Sequence, residues 1–368
     1  ARYHAPRPTR LFGWDPAGDG LIVHAARPGG TGLWRVRGPD DPGALWAAFE
    51  AGQAGGRLNP DPQRPVMLYL RDDGGDEQFQ IYGLDVAQGR SFRVSDGRSH
   101  HSNVRWSNRG DRFVFNSDRR NGRDWDLYVG TLDDPEGARP VLQGGGIWVP
   151  LAWSPDDRLI VAHDLDDRRV AYHLVDLPTG VRIPLEAIRP AMDPGAVLWT
   201  RDAAGFYFVA NRTGEFRGLY HYEIKTEAVT PLSAELDWDV QHAALSPDES
   251  TLALTVNAGG RSALYLLDAA TRALRPLALP PGQVQQLDFH PERPLLALGA
   301  TSSRSPGEVW VVDLNTGELA GWGGPFDALD RAVEPEHVDY ATFDAVGAAP
   351  RRIPANLYAP PRGGGPHP

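Results

Sequence analysis

Short apolar runs separated by Pro, Asp, Asn and Gly organise the chain. In Trp153–Asp164, "WSPDDRLIVAHD", one strand ends at Trp153 and a turn follows through Ser154-Pro155-Asp156-Asp157. A second apolar strand then occupies Leu159–Ala162. Pro fixes φ and Asp bonds nearby backbone, which is why these residues set such turns. Related turns stand at Trp14 ("WDPA"), Leu58 ("LNPD"), Trp106 ("WSNR"), Trp199 ("WTRD"), Leu245 ("LSPD") and Phe289 ("FHPE"). With Trp153 included, the successive spacings are 44, 48, 47, 46, 46 and 44 residues. Each turn leads into an apolar strand, such as "LIVHA", "FVFNS" or "FYFVA". A variable loop follows, then a third strand such as "LWRV", "DLYVGTL" or "VWVVDL". Shorter fourth segments ("RPVLQ", "RIPLE", "VTPLS", "RPLAL") close several copies.

Four short strands per repeat, seven times over, is the pattern of propeller blades. One four-stranded sheet cannot bury both of its faces, but sheets stacked around an axis can. The expected fold is therefore all-β: a seven-bladed β-propeller of four-stranded antiparallel blades, with blades one and two the most degenerate copies. A β-sandwich would not require so even a period. Gly 41 and Pro 33 among 368 residues fit many turns and disfavour long helices.

The net charge of −11 argues against nucleic acid or an anionic membrane as partner. No apolar run approaches the ~20 residues that span a bilayer. The absence of cysteine removes disulfide and thiolate chemistry without choosing a compartment. No secretory signal is visible at Ala1, and cytoplasmic location is the expectation, with export of a longer precursor left open. The missing initiator Met is read as processing or trimming.

The pattern changes in the tail, which divides the chain into a propeller at 1–335 and a second unit at 336–368. "YATFDAVG" and "RIPANLYAPP" read there as two strands of a different sheet. Phe343, Asp344, Gly347, Ile353, Pro354, Ala355, Leu357, Tyr358 and Pro360 match in kind the strands that open the α/β-hydrolase domain of the prolyl oligopeptidase family of serine peptidases. Extra residues separate Gly347 from Ile353. Inside the repeats, "RDDGGDEQFQIY" (Arg71–Tyr82) and "NGRDWDLYV" (Asn121–Val129) also resemble that family. The whole chain resembles its N-terminal propeller. The resemblance implies a missing α/β-hydrolase catalytic domain as partner, short peptides as substrates and a gating role for the propeller. That family's dipeptidyl peptidases hold the substrate amine with adjacent glutamates. No Glu-Glu pair occurs here, which points to acylaminoacyl-peptide or oligopeptide hydrolysis instead. A stand-alone propeller similar to TolB, binding a protein or peptide, is the alternative.

Catalytic residues are not expected in this chain. The family's nucleophile sits on a Gly-x-Ser-x-Gly elbow followed by Asp and His, and no such elbow occurs. Acyl transfer needs nucleophile, base and oxyanion donors together, and none can be assembled. No cofactor is called for. No metal is either, because converging ligands such as His-Glu-x-x-His are absent and the adjacent His100 and His101 would point to opposite faces of a strand. A lactonase-like metal enzyme is disfavoured on the same ground. "GGG" at Gly144–Gly146 lacks a following helix and Lys, so a connector is expected rather than a phosphate cradle. Tryptophans at the repeat turns are assigned to packing, since they recur in register with the blades.

In a four-stranded blade the loops between strands two and three open on the face where the chain enters and leaves. The tail attaches on that face too. Its loops are charged: Arg71, Asp72, Asp73, Asp76 and Glu77; Arg119, Arg120 and Arg123; Asp164, Asp166, Asp167, Arg168 and Arg169; Arg212, Glu215 and Arg217. Loops are often charged merely because they are solvated. The functional expectation centres on blade three, where Arg119, Arg120, Arg123, Trp125, His100 and His101 are the candidate substrate-binding residues. Planar guanidinium groups suit a peptide carboxylate or carbonyl. Replacing these arginines is expected to weaken substrate handling while barely moving stability.

Overall fold

The computed structural model describes residues 8–48, 53–72, 74–134, 137–166, 169–188, 197–212, 214–323, 333–346 and 349–359. Its strands form seven four-stranded antiparallel sheets in simple meander order, followed by a two-stranded hairpin. The chain is a seven-bladed β-propeller. The first strands of the blades are Arg10–Trp14, Gln53–Leu58, His101–Trp106, Ile147–Trp153, Val197–Trp199, Val240–Leu245 and Gln283–Phe289. Most neighbouring first strands touch one another, which places them at the inner edge around the axis.

Burial explains why the second strands are apolar throughout rather than alternating. In Arg158–Asp166, Leu159 and Val161 pack toward blade three, while Ile160 and Ala162 pack toward blade five. Successive side chains point to opposite faces, and both faces here meet a neighbouring blade. The core is accordingly divided into seven apolar layers, one between each pair of adjacent blades. Fourth strands that the repeat did not reveal are Ala44–Ala48, Arg90–Arg93 and Leu319–Gly321. They are short and largely solvated, so their composition carries little apolar pattern.

The repeat turns also work between blades. Trp106 Nε1 donates to Arg57 O of blade two at 2.9 Å, and Trp14 Nε1 donates to Asp288 O of blade seven at 3.0 Å. Arg112 lies over Trp153 and pairs with Asp157 at 3.1 Å, and Arg158 lies over Trp199. Of the four turn tryptophans, Trp14, Trp106 and Trp153 are buried.

Blade one (10–48) and blade seven (283–321) meet without exchanging a strand among the described residues. Their seam is non-covalent: an apolar layer of Leu11, Trp14, Val23, Val309, Val311 and Trp322, with Thr9 N donating to Gly307 O at 3.1 Å. Asp288 Oδ2 accepts from Trp14 N at 2.9 Å. A Cβ at Gly13 would stand 3.0 Å from that oxygen, so the small residue makes room for the carboxylate.

Beyond the ring, Glu336–Val346 pairs with Ala349–Leu357. The hairpin meets the face of the loops between second and third strands: Arg351 Nη1 bonds Glu215 Oε1 of the blade-five loop at 2.8 Å. Pro354 lies against Gly259 of blade six, where φ is +68° and an added Cβ would come within 2.9 Å.

Candidate functional site

In blade three, residues 118–125 join the second strand (Phe113–Ser117) to the third (Asp126–Gly130). The turn begins with Asp118 O accepting from Asn121 N and Gly122 N, and Gly122 supplies the positive φ of 68°. Asn121 then caps the turn, its Oδ1 accepting from Arg123 N and Asp124 N. Asp118 ties the loop to the start of the blade: its carboxylate accepts from His100 N at 2.9 Å and contacts His100 Nδ1 at 2.8 Å.

The six candidate residues divide into two groups. Arg120 donates to both oxygens of Asp126, to Asp124 and to Gly144 O. Asp126 has no exposed side-chain surface, so Arg120 is its counter-ion. Hydrogen bonds donated to Asp126 first and Asp124 second hold the guanidinium above its ordinary pKa. Arg119 lies over Tyr128 at 4.5 Å and Phe115 at 5.3 Å, with Asp96 3.8 Å from its Nε. His101 is buried against Phe115, and its Nε2 meets Asp96 Oδ1 at 3.1 Å. Burial lowers the His101 pKa against the opposing pull of Asp96. Burial raises Asp96, but N–H groups of Arg98 and Ser99, the Ser99 hydroxyl and His101 outweigh it and hold the carboxyl well below its usual range. These three side chains are engaged with groups of the propeller itself.

The outward group is His100, Arg123 and Trp125. His100 is 40% exposed and sits 6.2 Å from the Trp125 ring. Arg123 is exposed, and among the described residues its side chain has no hydrogen bond or ion pair. Trp125 is half-buried, and its backbone bridges to blade four: Trp125 N donates to Gly146 O at 3.0 Å and Trp148 N to Trp125 O at 2.9 Å. Gly144–Gly146 is thus a connector whose carbonyls serve both blades: Gly144 O takes Arg120, and Gly145 O faces His163 Nε2 at 2.8 Å.

Elsewhere on this face, Arg71 lies over Tyr82 and Arg212 over Tyr220. Asp73, Arg168, Asp167, Gly347 and Pro360, and the side chains of Asp164, Asp166, Arg169 and Asp344, lie outside the described residues. Sequence patterns did not reveal two features. One is the exposed apolar surface of the hairpin, with Tyr340, Phe343, Ile353 and Leu357. The other is a cleft of about 670 Å³ between the hairpin and blades six and seven, lined by Arg261, Gln283, Glu334, His337, Asn356 and Tyr358. Their residues are far apart in sequence, and only the docking of the hairpin brings them together. A second cleft of about 630 Å³ lies on the opposite face between the repeat turns of blades six and seven, away from every candidate residue. Among the described residues no group of three or more His, Cys, Asp or Glu could hold a metal. No helix there is long and apolar enough to cross a membrane.

The overall fold is matched among solved structures. A prolyl endopeptidase, from a study of two such enzymes, superposes with a TM-score of 0.73 over 95% of this chain, at 12% identity. Prolyl oligopeptidase B from Galerina marginata, bound to a 35mer hydrolysis and macrocyclization substrate, gives 0.73 over 95% at 14% identity. The fold is that of a prolyl oligopeptidase propeller. The chain spans about half of those proteins, 54% of each. No family model and no curated protein sequence matches the chain.

Proposed function

We propose that the chain is the non-catalytic propeller of a serine peptidase of the prolyl oligopeptidase type. In this reading it covers the active site of an α/β-hydrolase domain, admits short peptides and excludes folded proteins. Substrates are acylaminoacyl peptides or oligopeptides. The observation that carries the reading is the hairpin of residues 336–357. It sits on the face of the long loops, held by Glu215, with Tyr340, Phe343, Ile353 and Leu357 exposed as a surface that another domain would cover. The fold likeness, which stops at about half of the compared proteins, supports it.

His100, Arg123 and Trp125 are the residues proposed to meet substrate. Arg123 can give two parallel hydrogen bonds to a carboxylate or one to a carbonyl, beside the apolar edge of Trp125.

The test is to express the chain alone and extended through the reading frame that follows Pro368. The extended protein is expected to contain a Gly-x-Ser-x-Gly elbow, to be labelled by a fluorophosphonate and to cleave short acylated peptides but not folded proteins. The chain alone is expected to do neither. Turnover by the chain alone, or a continuation without a serine hydrolase, would overturn the proposal.

A further inference from the structure

The innermost strands carry a charge balance opposite to that of the molecule. The chain has 48 Asp+Glu against 37 Lys+Arg. Yet the charged residues on the seven first strands are Arg10, Arg57, Arg105 and Asp288, with two histidines. Asp288 is taken up in the seam by Trp14 N–H. The three arginines have no ion pair among the described residues.

Arg57 and Arg105 are equivalent by the repeat. Each stands immediately before its turn residue, Leu58 or Trp106, where the other blades have Gly13, Ala152, Leu198, Ala244 and Asp288. Two guanidinium groups therefore occupy one level of adjacent blades, close to the face of the repeat turns. Arg57 is exposed, and its backbone is fixed by Trp106 Nε1. Arg105 is half-buried, and among the described residues its side chain makes one hydrogen bond, from Nε to Pro150 O of blade four at 2.9 Å. Burial first, and the charge of Arg57 second, lower its pKa to about 10. A buried cation beside a like charge is costly unless an anion joins it.

We propose that Arg57 and Arg105 form a carboxylate-binding site in the wall of the central channel, for peptides that enter from the repeat-turn face. A carboxylate seated there offsets both charges and accepts from the free Nη groups of Arg105. The peptide as owner of the carboxylate rests on the proposed peptidase role. The site itself belongs to this chain and is tested without the hydrolase. Failure here leaves the hydrolase experiment untouched, and the reverse also holds.

The probes are three acetylated tetrapeptides: one with neutral side chains and a free C-terminus, one amidated with a single Glu, and one amidated and uncharged. Each is titrated into the isolated chain by calorimetry, with total tryptophan fluorescence as a second signal, at low and high ionic strength. Binding is expected for one or both acidic peptides, and which of them binds identifies the C-terminal or the side-chain carboxylate. High salt should weaken it. R57Q and R105Q should each weaken it about tenfold, the loss of one charged hydrogen bond, with R105K intermediate. If either Gln variant is unfolded by its melting curve, the other and R105K decide. Equal affinity for the uncharged peptide, no binding of either acidic peptide, or unchanged affinity in folded variants would overturn the proposal.

Discussion

At the scale of single residues, the blade-three loop shows why an arginine-rich sequence does not by itself mark a binding surface. "DRRNGRDWD" places three arginines within five positions, and sequence offers no way to rank them. The structure ranks them by their partners. Arg120 neutralises the fully buried Asp126, and a buried charge left alone is expensive. Arg120→Ala is therefore expected to lower the unfolding temperature, whereas Arg123→Ala leaves it unchanged and weakens peptide handling in the extended enzyme. Thermal melts of the two variants check the first part, and equal melting temperatures would show that Arg120 is not the counter-ion. The turn tryptophans were legible as packing residues, since their recurrence in register requires an inter-blade role. Their hydrogen bonds were not, because the acceptor Arg57 O lies a whole blade away from Trp106. Trp106→Phe keeps most of the packing but orphans that carbonyl. It should cost about 1–2 kcal/mol in a denaturant titration, the usual worth of such a bond with its desolvation. An unchanged midpoint would assign the indole N–H no structural role.

At the scale of elements, second and third strands were readable because both of their faces are buried. Runs such as "FVFNS" and "LIVAH" have no solvated side to interrupt them. First strands were visible mainly at their ends. Register shifts in the ladders of six blades, as at Leu11/Gly13, Pro150/Ala152 and Val284/Gln286, break their alternation. The hairpin was legible as two strands of a separate sheet, but its seat on blades five and six was not. Glu215 and Arg351 belong to segments that only the folded ring brings together. Ending the chain at residue 333 removes two exposed ion pairs, Arg351–Glu215 and Arg304–Glu334, each worth ~0–1 kcal/mol, and the contact of Pro354 with Gly259. The ring should melt within a few degrees of the full chain. A collapse of the melting temperature would mean that the hairpin belongs to the fold of the ring instead of presenting a surface for another domain.

At the scale of the whole molecule, closure rests on one non-covalent seam with a titratable group inside it. Burial raises the Asp288 pKa from 3.8 to about 6, against the lowering effect of Trp14 N–H. Between those values the folded chain holds a proton that the unfolded chain has released. The stabilising contribution of the protonated form is fully present below about pH 4 and is lost as pH rises through about 6. Above that, the buried carboxylate costs the fold up to ~3 kcal/mol, at 1.36 kcal/mol for each unit of pKa. Asp288→Asn keeps an oxygen to accept from Trp14 N and removes the charge. The variant is therefore expected to match the wild type near pH 4 and to exceed it in stability by ~2–3 kcal/mol at pH 8. Urea titrations at several pH values measure the difference. A constant gap would mean that the carboxylate does not titrate in the seam, and a less stable variant at pH 8 would mean that its charge helps to hold blades one and seven together.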